Sequence, residues 1–140
     1  MSSWVKKLCW QGCAFALVAE GLRLPWGASL ALVICAAQVA IAYGCHRHWR
    51  ALAVQVRLVF LLLFVAGSST PALAWLHALQ LVGVNALLIA DYCLLARLLT
   101  LLPWNRRVPL TPALVRAVLT LPPGPGSLAE RLNMEPAARR

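Results

Sequence analysis

The chain has 140 residues, 61% of them hydrophobic and 12% charged, with 13 Lys and Arg against 4 Asp and Glu for a net charge of +9 and a mean hydropathy of +0.76. So few charges cannot clothe a soluble domain of this size, so lipid is the solvent for much of the chain. The basic excess lies beside apolar stretches, where anionic headgroups attract it, which points to a membrane surface and away from nucleic acid.

The first apolar stretch runs from about residue 8 to 24 behind Lys6 and Lys7. A basic flank and an apolar core also mark signal peptides, but no small-x-small cleavage site follows. Glu20, Arg23 and Pro25 follow instead, and the next apolar run starts almost at once, so a retained helical hairpin with its N-terminus inside is expected. The second span covers 27–44, entered through Pro25 and Trp26, and the third covers 51–67, with the basic turn Cys45-His46-Arg47-His48-Trp49-Arg50 between them. An uncharged turn at Ser68-Ser69-Thr70-Pro71 then reverses the chain, and a last apolar run extends from Ala72 to Leu102. As one helix that run would measure about 46 Å against about 30 Å of hydrocarbon, so its last turns must leave the core or tilt. The fourth span is therefore placed at 72–95, with Arg97 in the overhang, free to snorkel.

With these four spans, twelve of the 13 basic residues fall on one side and only Arg23 on the other. That bias predicts a multi-pass protein of a bacterial-type cytoplasmic (inner) membrane with both termini in the cytoplasm. Tryptophan agrees: Trp4, Trp26, Trp49, Trp75 and Trp104 stand at predicted span ends, where indoles prefer the headgroup level, and Trp10 lies one turn inside. The expected fold is an all-α integral membrane bundle of four transmembrane helices over 1–102, followed by a basic, proline-rich cytoplasmic tail over 103–140.

In that tail, Thr111-Pro112 reads as a helix cap with proline at the first helical position. A short amphipathic helix over 112–121 is expected on the inner leaflet or against a partner, with Trp104, Arg106, Arg107 and Arg116 as partner or headgroup contacts. The linker Pro122-Pro123-Gly124-Pro125-Gly126 ends it, Ser127-Leu128-Ala129-Glu130 reads as a capping box for one more small helix, and residues 133–140 form a flexible end.

Polar residues inside a bilayer cost free energy unless paired or wetted, so they are the functional candidates. Gln11, Gln38, Gln55, Arg57 and Asp91 come from all four spans and cluster within about 5 to 12 Å of the cytoplasmic boundary. Asp91 and Arg57 are placed to meet as an ion pair. On helix four, His77, Gln80, Asn85 and Asp91 form a polar stripe, either a hydrated path or a bundle interior held by amide contacts; the latter demands fewer special residues. Glu20 and Arg23, three residues apart, are expected to pair near the outer end of helix one.

Of the five cysteines, Cys9, Cys13, Cys45 and Cys93 lie toward the cytoplasmic end, a reducing compartment, and Cys35 lies mid-bilayer. Cys9 and Cys13 share a helix face, and with Cys45, His46 and His48 they are candidate ligands for a thiophilic metal ion. The turn His46-Arg47-His48-Trp49 after the second helix, together with cysteines in the first, resembles part of the four-helix mercuric-ion uptake proteins over that short stretch. The resemblance implies handling of a thiophilic ion.

No cofactor is expected. A b-type haem needs two histidines at one depth, and His46 and His48 sit at the opposite membrane face from His77. Nucleotide-binding glycine motifs and the G-x-S-x-G nucleophile elbow are absent, and Asp91 is the one acid near any base, so no enzyme is expected. The expected function is that of a non-catalytic accessory, assembly or interaction subunit of a larger membrane protein, or a self-associating one. The alternative is a small transporter, of a thiophilic metal ion for instance, using Cys9, Cys13 and the stripe of helix four.

Overall fold

The structure is a computed structural model that describes residues 3–106 and 108–122, with side chains from residue 7 onward. The Trp4 side chain, Arg107, and the small helix at Ser127-Glu130 and flexible end at 133–140 that the sequence suggests lie outside the described residues. Helices α1 (Ser3–Gly21), α2 (Gly27–His46), α3 (Leu52–Ser69) and α4 (Trp75–Ala90) are followed by the short α5 (Leu94–Thr100) and α6 (Pro112–Thr120), and a 3-10 turn at Pro71–Leu73 leads into α4. Regular structure is entirely helical among the described residues.

Three stretches are long and apolar enough to cross a membrane: Gly27–His46, Leu52–Ser69 and Pro71–Ala90. The length of α1 matches theirs, but it carries Lys6, Lys7 and Glu20. It nevertheless packs as a full member of the bundle: α1 lies against α2, α2 against α3, α3 against α4, and α4 closes the ring on α1. Trp10, Cys13, Ala16 and Leu17 of α1 join Ala31 and Cys35 of α2, Val56, Phe60 and Phe64 of α3, and Val84 of α4 in one core. There the Trp10 ring meets the Phe60 ring edge-on at 5.3 Å. Outward, Leu8, Phe15, Val33, Leu62, Val82 and Ile89 are exposed, Ile89 to 83%. An apolar exterior over a polar-glued interior is what a lipid solvent allows and water does not.

Two glycines are dictated by packing. A Cβ on Gly27 would stand 2.7 Å from the Glu20 backbone nitrogen, so only glycine lets the start of α2 close on the end of α1. A Cβ on Gly67 would stand 2.7 Å from Nε2 of His77, whose ring stacks on Phe64 with centroids 5.1 Å apart.

Helix four departs from the expected 72–95. It ends at Ala90 because Asp91 takes the left-handed conformation (φ 49), closing the helix with the Tyr92 amide donating to the Ala86 carbonyl at 3.3 Å. Asp is among the few residues that tolerate this conformation, and the 6→1 bond satisfies a terminal carbonyl. Cys93 then caps α5, its sulfur accepting from the Ala96 amide at 3.4 Å. The apolar run is thus a span and a separate short helix. In the tail, Thr111 caps α6 as the sequence implied, Oγ1 accepting from the Leu114 amide at 3.2 Å, with Pro112 opening the helix and Thr120, one residue earlier than expected, closing it.

Candidate functional site

The five residues expected to cluster at the inner end do not form one group. Gln38 is buried between α1 and α2, donating to the Cys9 carbonyl at 2.7 Å and to Sγ of Cys13 at 3.0 Å. Gln11, on the opposite face of α1, is exposed. Gln55 belongs to the first turn of α3 and pairs with Asn105: the Asn105 amide donates to Oε1 of Gln55 at 2.6 Å and to the Leu99 carbonyl at 2.8 Å. Gln55 in turn donates to the Arg50 carbonyl at 3.1 Å. This amide pair ties the segment after α5 to the entrance of α3.

Arg57 and Asp91 do not meet. Arg57 donates to the Ala53 carbonyl at 2.8 Å on its own helix and lies over the Trp10 ring, 5.8 Å from its centroid. Asp91, turned out by the helix break and largely exposed, faces Lys7 at 3.7 Å. The pair places the start of α1 and the end of α4 at one level, but its solvent exposure makes it worth at most about 1 kcal/mol. Glu20 and Arg23 form no salt bridge among the described residues; Arg23 sits in the left-handed conformation (φ 55) where α1 unwinds.

The stripe on helix four also divides. His77 is half-buried, its Nε2 3.3 Å from both Ser68 Oγ and the Phe64 carbonyl. Gln80 is 4% exposed and donates to the Phe60 carbonyl at 2.7 Å, while its Oε1 is buried without a donor. Asn85 is exposed and folds back on the Leu81 carbonyl, and Asp91 has left the helix. The stripe therefore supplies two inter-helix contacts, to α3, and no continuous polar line.

The metal set of Cys9, Cys13, Cys45, His46 and His48 is not assembled. No three His, Cys, Asp or Glu side chains gather at ligating distance among the described residues. Cys45, His46 and His48 are exposed at the end of α2, whereas Cys13 faces the interior. The turn of the helix between Cys35 and Cys45 leaves the first against α1 and the second at the exposed end of α2. Instead Cys13 meets Cys35 of α2, with the sulfurs 3.8 Å apart. No reading of spacing along a single helix would have paired residues 22 positions apart. Cys93, beyond the last apolar span, has its thiol pushed above the ordinary range by burial, against an opposing pull from the Ala96 and Leu95 amides.

Of the tail residues, Trp104 is 62% exposed, Arg116 is exposed, and Arg106 is half-buried with Nη1 lacking an acceptor among the described residues. The tail is organised by a residue that sequence placed at the headgroups. Arg97 is only 6% exposed; its guanidinium lies over the Tyr92 ring at 4.2 Å and donates to the Val118 carbonyl, while the Tyr92 hydroxyl donates to the Leu119 carbonyl at 2.8 Å. A cation and a hydroxyl thus cap the carbonyl end of α6, where the helix dipole favours positive charge. This buries Val118 fully. It leaves Pro112, Ala113, Arg116, Ala117 and Thr120 lining an open groove of about 450 Å³.

A comparison of the chain with protein-family models, with curated proteins and with solved structures finds no match.

Proposed function

We propose that this chain is a small four-span protein of a bacterial-type cytoplasmic membrane, with both termini inside, that acts as a non-catalytic accessory or assembly subunit of a larger membrane protein. The observation that carries the reading is how the interior polar groups spend their hydrogen bonds. Arg57 turns back on a carbonyl of its own helix, whereas Gln38 and Gln80 donate to carbonyls or a sulfur of the helix beside them. Such bonds hold helices together at about 0.6 to 2 kcal/mol each and offer no path to a solute. The fourth span is α1, whose Lys6 and Lys7 mark its inner end and whose buried face completes the ring.

The part free to meet a partner is the tail. Docked α6 turns its small residues, with Arg116 among them, away from the bundle, and exposed Trp104 stands at the exit from α5. Small side chains let another helix approach closely, and an arginine beside them fixes orientation. Affinity purification of the full chain from native membranes in mild detergent, with mass spectrometry, should recover a larger membrane protein in stoichiometric amount. A chain truncated before Arg106 should lose it. Undiminished recovery with the truncated chain, or recovery of the chain alone, overturns the proposal.

A further inference from the structure

We infer that Cys13 and Cys35 form a two-thiol site for a soft monovalent metal ion such as Cu(I), built between α1 and α2 and held by Gln38. The two cysteines are 1% and 3% exposed and their sulfurs stand 3.8 Å apart. A disulfide needs about 2.05 Å between sulfurs, and a metal with two bonds of about 2.3 Å spreads them to at most about 4.6 Å. The observed gap lies between these values, so seating an ion needs a side-chain adjustment of under about an ångström.

The surroundings suit a bound bis-thiolate better than a pair of inert thiols. Gln38 is 5% exposed and spends one amide hydrogen on Sγ of Cys13 and the other on the Cys9 carbonyl. The second bond fixes the amide so that the first stays aimed at sulfur. An N–H donor stabilises sulfur most when it is thiolate, the form that ligates metal. Binding one Cu(I) releases two protons and leaves the centre with a net charge of −1. Arg57 of α3, stacked over Trp10 one turn before Cys13, supplies a fixed cation on that side of α1. Thiolates select soft ions such as Cu(I), whereas Zn(II) asks for four ligands and here finds two. His46 and His48, exposed at the far end of α2, take no part.

The test uses the full chain purified in mild detergent, carrying Cys9→Ser, Cys45→Ser and Cys93→Ser so that only the inferred pair remains. It is titrated against the coloured bis-bicinchoninate complex of Cu(I), and separately loaded by expression in copper-supplemented cells and assayed for metal content. The expected result is one Cu(I) per chain by both routes, with a sulfur-only, two-coordinate shell by X-ray absorption. Adding Cys13→Ala or Cys35→Ala should weaken binding at least 100-fold while leaving the helical circular dichroism unchanged, and Gln38→Leu should weaken it about tenfold. Cu(I) retained after either alanine substitution, or none bound by either route in the folded two-cysteine chain, overturns the inference.

Discussion

Replacing Gln80 by leucine should leave the bundle as stable as before or make it more stable. The side chain is 4% exposed in the contact between α3 and α4, and it makes a single hydrogen bond, to the Phe60 carbonyl at 2.7 Å. That carbonyl lies inside α3 and keeps its helical partner when the amide is removed. The bond itself contributes about 0.6 to 1.7 kcal/mol in a membrane interior. Against this, Oε1 is buried with no donor, and an orphaned acceptor costs about 1 to 3 kcal/mol. Leucine nearly matches the volume and carries no polar atom, so Gln80→Leu is expected to change stability by between about zero and +2 kcal/mol. Unfolding in mixed micelles, followed by circular dichroism as the fraction of sodium dodecyl sulfate rises, measures the difference directly. A loss of more than about 1 kcal/mol would refute the reasoning, because it would mean that Oε1 has a strong partner and that the polar side chain does more than hold two helices together.

Gly27→Ala should destabilise the bundle by about 1 to 3 kcal/mol in the same assay, because its Cβ would strike the backbone of Ala19 and Glu20, which cannot turn aside. Gly12→Ala serves as its control and should be tolerated, since the nearest atom to that Cβ is 3.8 Å away. Arg97→Met removes the charged cap from the carbonyl end of α6, a bond worth about 1.5 to 3 kcal/mol. The undocked population of α6 should rise about ten- to a hundredfold, read as faster tryptic cleavage after Arg116, while the melting of the four long helices stays put. Among single-cysteine chains, Cys93 should react with maleimide more slowly than exposed Cys45 at neutral pH. Because burial raises its folded pKa, the thiolate that reacts is scarce there, and the lag should narrow as pH climbs above the usual thiol range.

Much of the architecture was legible because lipid imposes a coarse code. Apolar length gave the three spans and the positions of their turns, and Thr111-Pro112 marked the start of α6 because a cap is a local device. Exposed Trp26, Trp49 and Trp75 flank the ends of the long helices, while Trp104 lies beyond α5 and Trp10 is buried. The sites were less legible because they depend on how helices rotate against each other. Spacing along one helix suggested Cys9 with Cys13, but the packing of α1 on α2 brings Cys13 to Cys35 and leaves Cys45, His46 and His48 exposed. The Gln55 and Asn105 pair joins a helix start to a loop 50 residues later, a closure that no local periodicity encodes. Asp91 did leave a trace: a lone acid with low helix propensity inside an apolar run is a reason to doubt a continuous helix.

That break resolves the length problem of the last apolar run in a different way from tilting. From Pro71 to Ala90 the chain has 20 residues, about 30 Å of helix and one bilayer core. Stopping there at Asp91, beside Lys7, frees Leu94–Thr100 to fold as a separate helix along α3, burying Leu99 and Thr100. A straight continuation would have carried Arg97 away from the bundle into the headgroups. Turned back, the same arginine becomes the buried cap that holds α6, and the Asn105 to Gln55 amide pair fixes the connection between them. The tail is therefore positioned by the end of the membrane helix itself, and any partner that grips α6 senses how α4 ends. Removing the left-handed turn should act on tail docking before it acts on the four-helix core.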